Sequence, residues 1–106
     1  MLVATTENIA GYRIKTVKGP VFGLVVRSRG IGPNIIASQR SIVGGEIHEY
    51  TALLEQARRD AMARLEEAAT ALGANAVVMM RFDSSELAEY MSEIVAYGTA
   101  VVVEPV

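Results

Sequence analysis

The residues of this chain that could do chemistry gather in two places. The larger is "RSRGIGPNIIASQRSIVGGEI", residues 27–47. Arg27, Arg29 and Arg40 make it positive, Asn34 and the serines add polar side chains, and Gly30, Gly32, Gly44 and Gly45 loosen its backbone. No acid interrupts it before Glu46. A positive, glycine-rich segment leading into a helix can cradle an anion, because free backbone N–H groups and the helix macrodipole both favour negative charge there. Its spacing matches neither the P-loop, which needs a Lys-Ser/Thr pair, nor the GxGxxG dinucleotide turn. Glu46 would repel a phosphate. Ile31, Ile35, Ile36, Ile42 and Val43 also thread the segment, and a solvated ligand loop has no use for them. Apolar residues interleaved with arginine are the composition of a protein interface. The stretch is therefore expected to be assembly surface, with a small anionic ligand as the alternative.

The smaller cluster is Asp83, Ser84, Ser85 and Glu86. As a site it would lie between subunits, with Asp83 as ligand or base and a serine as donor. As structure it would be a turn, since Asp and Ser satisfy turns through their own side chains, and the turn is the expectation.

Metal chemistry has few donors to draw on. Soft metals ask for thiolate or thioether and borderline metals for imidazole, yet the chain has no cysteine and a single histidine, His48. Met79 and Met80 are neighbours in a strand, so their side chains should leave on opposite faces and cannot chelate one ion. A divalent metal would have to use His48 with Glu46 and Glu49, completed by other copies, because zinc-like sites take three or four donors. Catalysis fares no better. Nothing in the sequence gives His48 an orienting acid or a nucleophile, so a non-enzymatic oligomeric scaffold or small-ligand binder is expected. A metal-binding protein is the second hypothesis and an enzyme sited at a subunit interface the third.

The elements that must position these residues follow from periodicity. At 106 residues the chain is expected to be one domain, residues 1–106. Hydrophobic residues make up 51% and charged ones 21%, which is the balance of a globular chain. The net charge of −2 and the lack of a basic tail give no support for nucleic acid or an anionic membrane as partner. No signal-peptide pattern opens the chain, so a cytoplasmic location is expected. The first strand is read from Tyr12 to Lys18, bent at Gly19-Pro20 and resumed from Val21 to Arg27. Pro33 would start a short helix through "NIIASQRSIV", closed by Gly44-Gly45. A long helix follows from about Ile47 to Leu72, with Tyr50, Leu53, Leu54, Ala57, Ala61, Leu65, Ala68 and Leu72 as its apolar stripe and Gly73 as its cap. Two more strands, about Ala76–Phe82 and Glu93–Val103, flank the polar "DSSELAEYMS". The result is an α+β fold, one long helix on a small antiparallel sheet. "VFGLVV", "AVVMM" and "TAVVV" are nearly continuous apolar runs, the mark of strands buried on both faces. One helix covers one face only, so copies of the chain are expected on the other.

Four segments, "TTENIAGYRI", "GLVVRSRG", "IVGGEIHEYTALLEQARRDAMARLEEAATALGANAVVMMRFD" and "VAYGTAVVVEP", resemble the YbjQ-like family in order and spacing across nearly the whole chain. Members of that family are catalogued as uncharacterised or as heavy-metal-binding. The resemblance implies a β-α-β-β, dodecin-like subunit assembled as a ring-shaped homo-oligomer. The ring is typically a pentamer, and two rings stacked as a decamer remain open.

Overall fold

The computed structural model of the chain describes residues 1–28, 42–43, 46–88 and 91–106. In chain order these form β1 (Leu2–Val3), β2 (Tyr12–Ser28), β3 (Ile42–Val43), β4 (Glu46–Ile47), α1 (His48–Ala71), β5 (Ala76–Ala88) and β6 (Met91–Pro105). The main sheet has four strands in the order β1-β5-β6-β2. Strand β6 pairs antiparallel with both long neighbours, whereas β1 lies parallel to β5, so the sheet is mixed and not purely antiparallel as expected. Two residues carry no readable period, which is why the sequence hid β1. Its backbone continues the pairing beyond the strand proper: Ala4 N–H donates to the Val77 carbonyl at 2.9 Å, and Met80 N–H donates to the Ala4 carbonyl at 3.0 Å.

Helix α1 forms over its 24 residues because Ala, Leu, Glu and Arg, all strong helix formers, dominate it. Its buried stripe is the i+4 row Ala57, Ala61, Leu65 and Ala69. Three of these four are alanine, so the helix settles close onto β2. At Gly23 the approach is so tight that an added Cβ would lie 2.0 Å from the Ala61 carbonyl oxygen and 2.5 Å from the Leu65 nitrogen. The helix ends as expected at Gly73, whose φ of +81° is the left-handed conformation glycine adopts without penalty. Ala74 N–H then reaches back to the Ala69 carbonyl at 3.1 Å, which closes the last turn.

Strand β2 is one strand with two register irregularities, between Ile14 and Thr16 and between Val17 and Gly19. The second sits at the Gly19-Pro20 step where the bend was expected, with Gly19 at φ +123°. The short helix expected over 34–43 is corrected at its end, because Ile42–Val43 pair antiparallel with Glu46–Ile47. Its remainder, with Pro33 and the Gly44-Gly45 stop, lies outside the described residues. The turn expected at Asp83–Glu86 is also corrected. These residues continue β5, with Asp83 opposite Val95, Ser84 opposite Ile94, Ser85 opposite Glu93 and Glu86 opposite Ser92. Pairing with a long partner strand overrode the turn preference of Asp and Ser.

The alternation along the strands separates two faces. Toward the helix point Val21, Val25, Val77, Met80, Ile94, Ala96 and Ala100, which make the main core with the helix stripe. On the opposite face Ala76, Val78, Val101 and Val103 form a second buried cluster, covered by Ile9 of the N-terminal segment. Arg81 ties that segment down by donating to the Thr5 carbonyl at 2.7 Å. Among the described residues the cover stops there. Beyond it Phe22, Leu24, Val26 and Tyr97 lie exposed on the same face, with Phe22 opposite Tyr97 and Leu24 opposite Val95.

Candidate functional site

Where the N-terminal half of α1 meets the β5–β6 hairpin, a cleft of about 390 Å³ opens. Leu53, Leu54 and Arg58 line it from the helix, Ser84, Ser85 and Glu86 from β5, and Ser92 and Ile94 from β6. The local fold explains the gap. The buried row Ala57, Ala61, Leu65 and Ala69 begins only after Leu53 and Leu54, which form the helix wall of the cleft. Leu54 stays 45% exposed instead of joining the core. On the facing hairpin Ser84, Ile94, Glu86 and Ser92 occupy adjacent cross-strand pairs turned toward the helix.

Arg58 is the cation of the cleft. Its guanidinium carbon stands 5.5 Å from the centroid of the Phe82 ring, close enough for a cation–π contact that limits its freedom. Among the described residues it has no acidic partner and no hydrogen bond. The neighbouring helix arginines differ. Arg59 donates to Gln56 Oε1 at 3.1 Å, and Arg64 donates to the Leu24 carbonyl. The i,i+4 pairs Glu55–Arg59 and Asp60–Arg64 that the spacing offers are thus replaced by contacts with an amide and a strand carbonyl.

The residues singled out from sequence are scattered. Arg27, at the end of β2, forms an ion pair with Asp60 of α1 within the same chain. Asp60 also accepts from Gln56 Nε2 at 2.9 Å. The Gln56 amide above all, then Arg27 and the charge of Arg64, hold the Asp60 carboxyl below its ordinary range, against an opposing push from partial desolvation. Asp83 and Ser84 point to opposite faces of the sheet, so the pleat separates them. Asp83 Oδ1 accepts the Ser84 backbone N–H at 2.9 Å, while Ser84 lines the cleft. Ser85 donates to Glu93 Oε2 at 3.1 Å.

Arg29, Asn34, Arg40, Gly44 and Gly45 lie outside the described residues. Glu46 falls in β4, and His48 and Glu49 open α1, all three placed by backbone alone. Among the described residues no three of His, Cys, Asp and Glu come together as a metal-holding group. Arg58 and Ser92 were not among the candidate residues, because an arginine on the polar side of a helix carries no local sign of a site. The signal that could have found it is its i+4 spacing from Leu54, which sets an apolar residue and a cation one above the other.

A family model described as "Putative heavy-metal-binding" matches residues 1–104 of the chain. A UPF0145 protein of Bradyrhizobium sp. (strain ORS 278) is 68% identical over 105 residues, covering 99% of this chain and 95% of its own length. A UPF0145 protein of Saccharolobus solfataricus is 62% identical over 104 residues, covering 98% of this chain and 91% of its own. A third, from Thermoplasma acidophilum, is 55% identical over 106 residues, covering 100% and 89%. The crystal structure of a protein of unknown function from Pediococcus pentosaceus, of the DUF74 family, superposes with a TM-score of 0.67 and covers 98% of both chains. At 17% identity that likeness supports the fold alone.

Proposed function

The chain belongs to the YbjQ-like family of UPF0145 proteins, and on that premise we propose that it works as one subunit of a cytoplasmic, ring-shaped homopentamer that binds a small ligand and carries out no catalysis. The observation that carries the reading is the open half of the outer sheet face. Phe22 is 60% exposed there, Leu24 and Val26 are each 45% exposed, and Tyr97 is 39% exposed. A contiguous apolar surface of this kind marks an interaction site, and the simplest partner of an unpaired sheet face is another copy of itself. Covering Phe22, Leu24 and Val26 would return on the order of 1 kcal/mol each, repeated on every subunit of a closed ring. The shape of the chain points the same way. Its Cα radius of gyration is 17.1 Å, against about 13 Å for a compact domain of this length. So drawn-out a chain, 53 × 27 × 16 Å, has more surface than its own core can cover.

Native mass spectrometry tests the proposal. The untagged protein should appear at five times the 11.4 kDa subunit mass, and Phe22→Asp should reduce it to monomer while far-UV circular dichroism stays unchanged. A wild-type monomer would contradict the assembly.

The family description favours a second reading, in which a heavy metal is held between subunits. Glu46, His48 and Glu49 lie within four consecutive residues at the start of α1, so a ring would bring several such donor sets into one assembly. Under this reading zinc added to the untagged protein is retained stoichiometrically, and His48→Ala abolishes the retention. Retention that survives His48→Ala would remove these residues as ligands.

A further inference from the structure

We propose that the cleft between α1 and the β5–β6 hairpin is a binding site for small organic monocarboxylates with an apolar body, with the Arg58 guanidinium receiving the carboxylate. This deepens the ligand-binding part of the proposed function, and it is argued from residues of a single subunit without appeal to the ring.

Size comes first. At about 390 Å³ the cleft falls within the roughly 300–1,000 Å³ typical of small-molecule sites. Its walls divide by chemistry. Leu53, Leu54 and Ile94 offer an apolar lining, while Ser84 and Ser92 add hydroxyl donors. A ligand that satisfies both needs an apolar body and a compact polar head.

The charge of that head follows from Arg58. Arg58 packs on an aromatic ring and has no acidic partner among the described residues, so its donor edge can take a carboxylate through two parallel N–H···O bonds. The Phe82 contact restrains the side chain before any ligand arrives, so less rotamer entropy is lost on binding. Glu86 sets the other limit. Its carboxylate, itself engaged by a partner, shares the cleft, and a dianion would meet more repulsion from it than a monoanion. Phosphate is therefore disfavoured, and a monocarboxylate is the head group the site accepts.

The test titrates 4-phenylbutyrate into the untagged full-length protein, followed by amide chemical shifts, with 4-phenylbutanol and inorganic phosphate as controls. Native mass spectra of the same samples report the subunit count, so failure of the cleft and failure of the assembly register separately. The expected result is saturable binding of 4-phenylbutyrate, with the shifts centred on residues 53–58, 84–86 and 92–94. The neutral alcohol should bind at least about tenfold more weakly, the step expected when a charge-assisted pair is lost. Phosphate should also bind at least about tenfold more weakly, because it has no apolar body to fill the cleft. Arg58→Gln should weaken 4-phenylbutyrate by about tenfold or more, and Arg58→Lys by less, since lysine keeps the charge and loses the fork. Arg58 is exposed, so both variants should fold, and their circular dichroism checks that. Absence of saturable binding would overturn the proposal. Equal affinity for the alcohol, or an affinity unchanged by Arg58→Gln, would do the same.

Discussion

Asp60 shows how a residue that looks like surface decoration can fasten two elements. It accepts from Gln56 on its own helix and pairs with Arg27 at the end of β2, so helix and strand are joined at the edge of the core. Its carboxyl is held below the ordinary aspartate range, so the folded state favours the ionised form more than the unfolded chain does. The stability this adds is fully present above the unfolded value, near 4, and is lost as pH falls through the lower folded value. Comparing thermal unfolding of the wild type and Asp60→Asn should thus give a Tm gap that is constant from pH 7 to 5 and closes below about pH 4. A gap that instead widens on acidification would mean that the carboxylate is not stabilised by these partners. At this scale the sequence was only partly legible. It singled out Arg27 and Asp83 as charged residues in suggestive company, yet no local pattern announces that Arg27 meets an aspartate 33 positions away or that the pleat parts Asp83 from Ser84.

Between elements, the decisive contact is the meeting of α1 with β2 at Gly23. A Cβ there would collide with helix backbone, which cannot swing aside as a long side chain could. Gly23→Ala should therefore destabilise the fold by about 1–3 kcal/mol or more, the usual cost of overpacking a filled core. Chemical denaturation would read this as a lowered midpoint. A change within about 0.5 kcal/mol, the range of ordinary surface substitutions, would show that the helix sits farther from the strand. The elements themselves were legible wherever their signals are local: the alanine-rich period of α1, its stop at Gly73, and the irregularity of β2 at Gly19-Pro20. Long-range pairing was not. Strand β5 runs on through Asp83, Ser85 and other polar residues because β6 supplies their backbone partners, and composition alone reads such a run as a turn. The helix stripe was overdrawn in the same way, since Leu54 and Leu72 have the right spacing but each stays 45% exposed.

For the whole molecule, apolar strand runs that one helix cannot cover led to the expectation of partner copies, and the two faces of the sheet now show where that argument applies. The N-terminal segment closes one half of the outer face through Ile9 and Arg81. The other half, around Phe22 and Tyr97, has no cover from the described residues. The cleft lies on the helix side, so the proposed assembly and the proposed ligand binding would use different surfaces of the subunit. Native mass spectrometry of the untagged wild-type protein tests the central claim most directly. A single dominant species of five subunits is expected, reduced to one by Phe22→Asp. A wild-type spectrum of monomers would contradict it and leave the exposed row on β2 without the partner proposed for it.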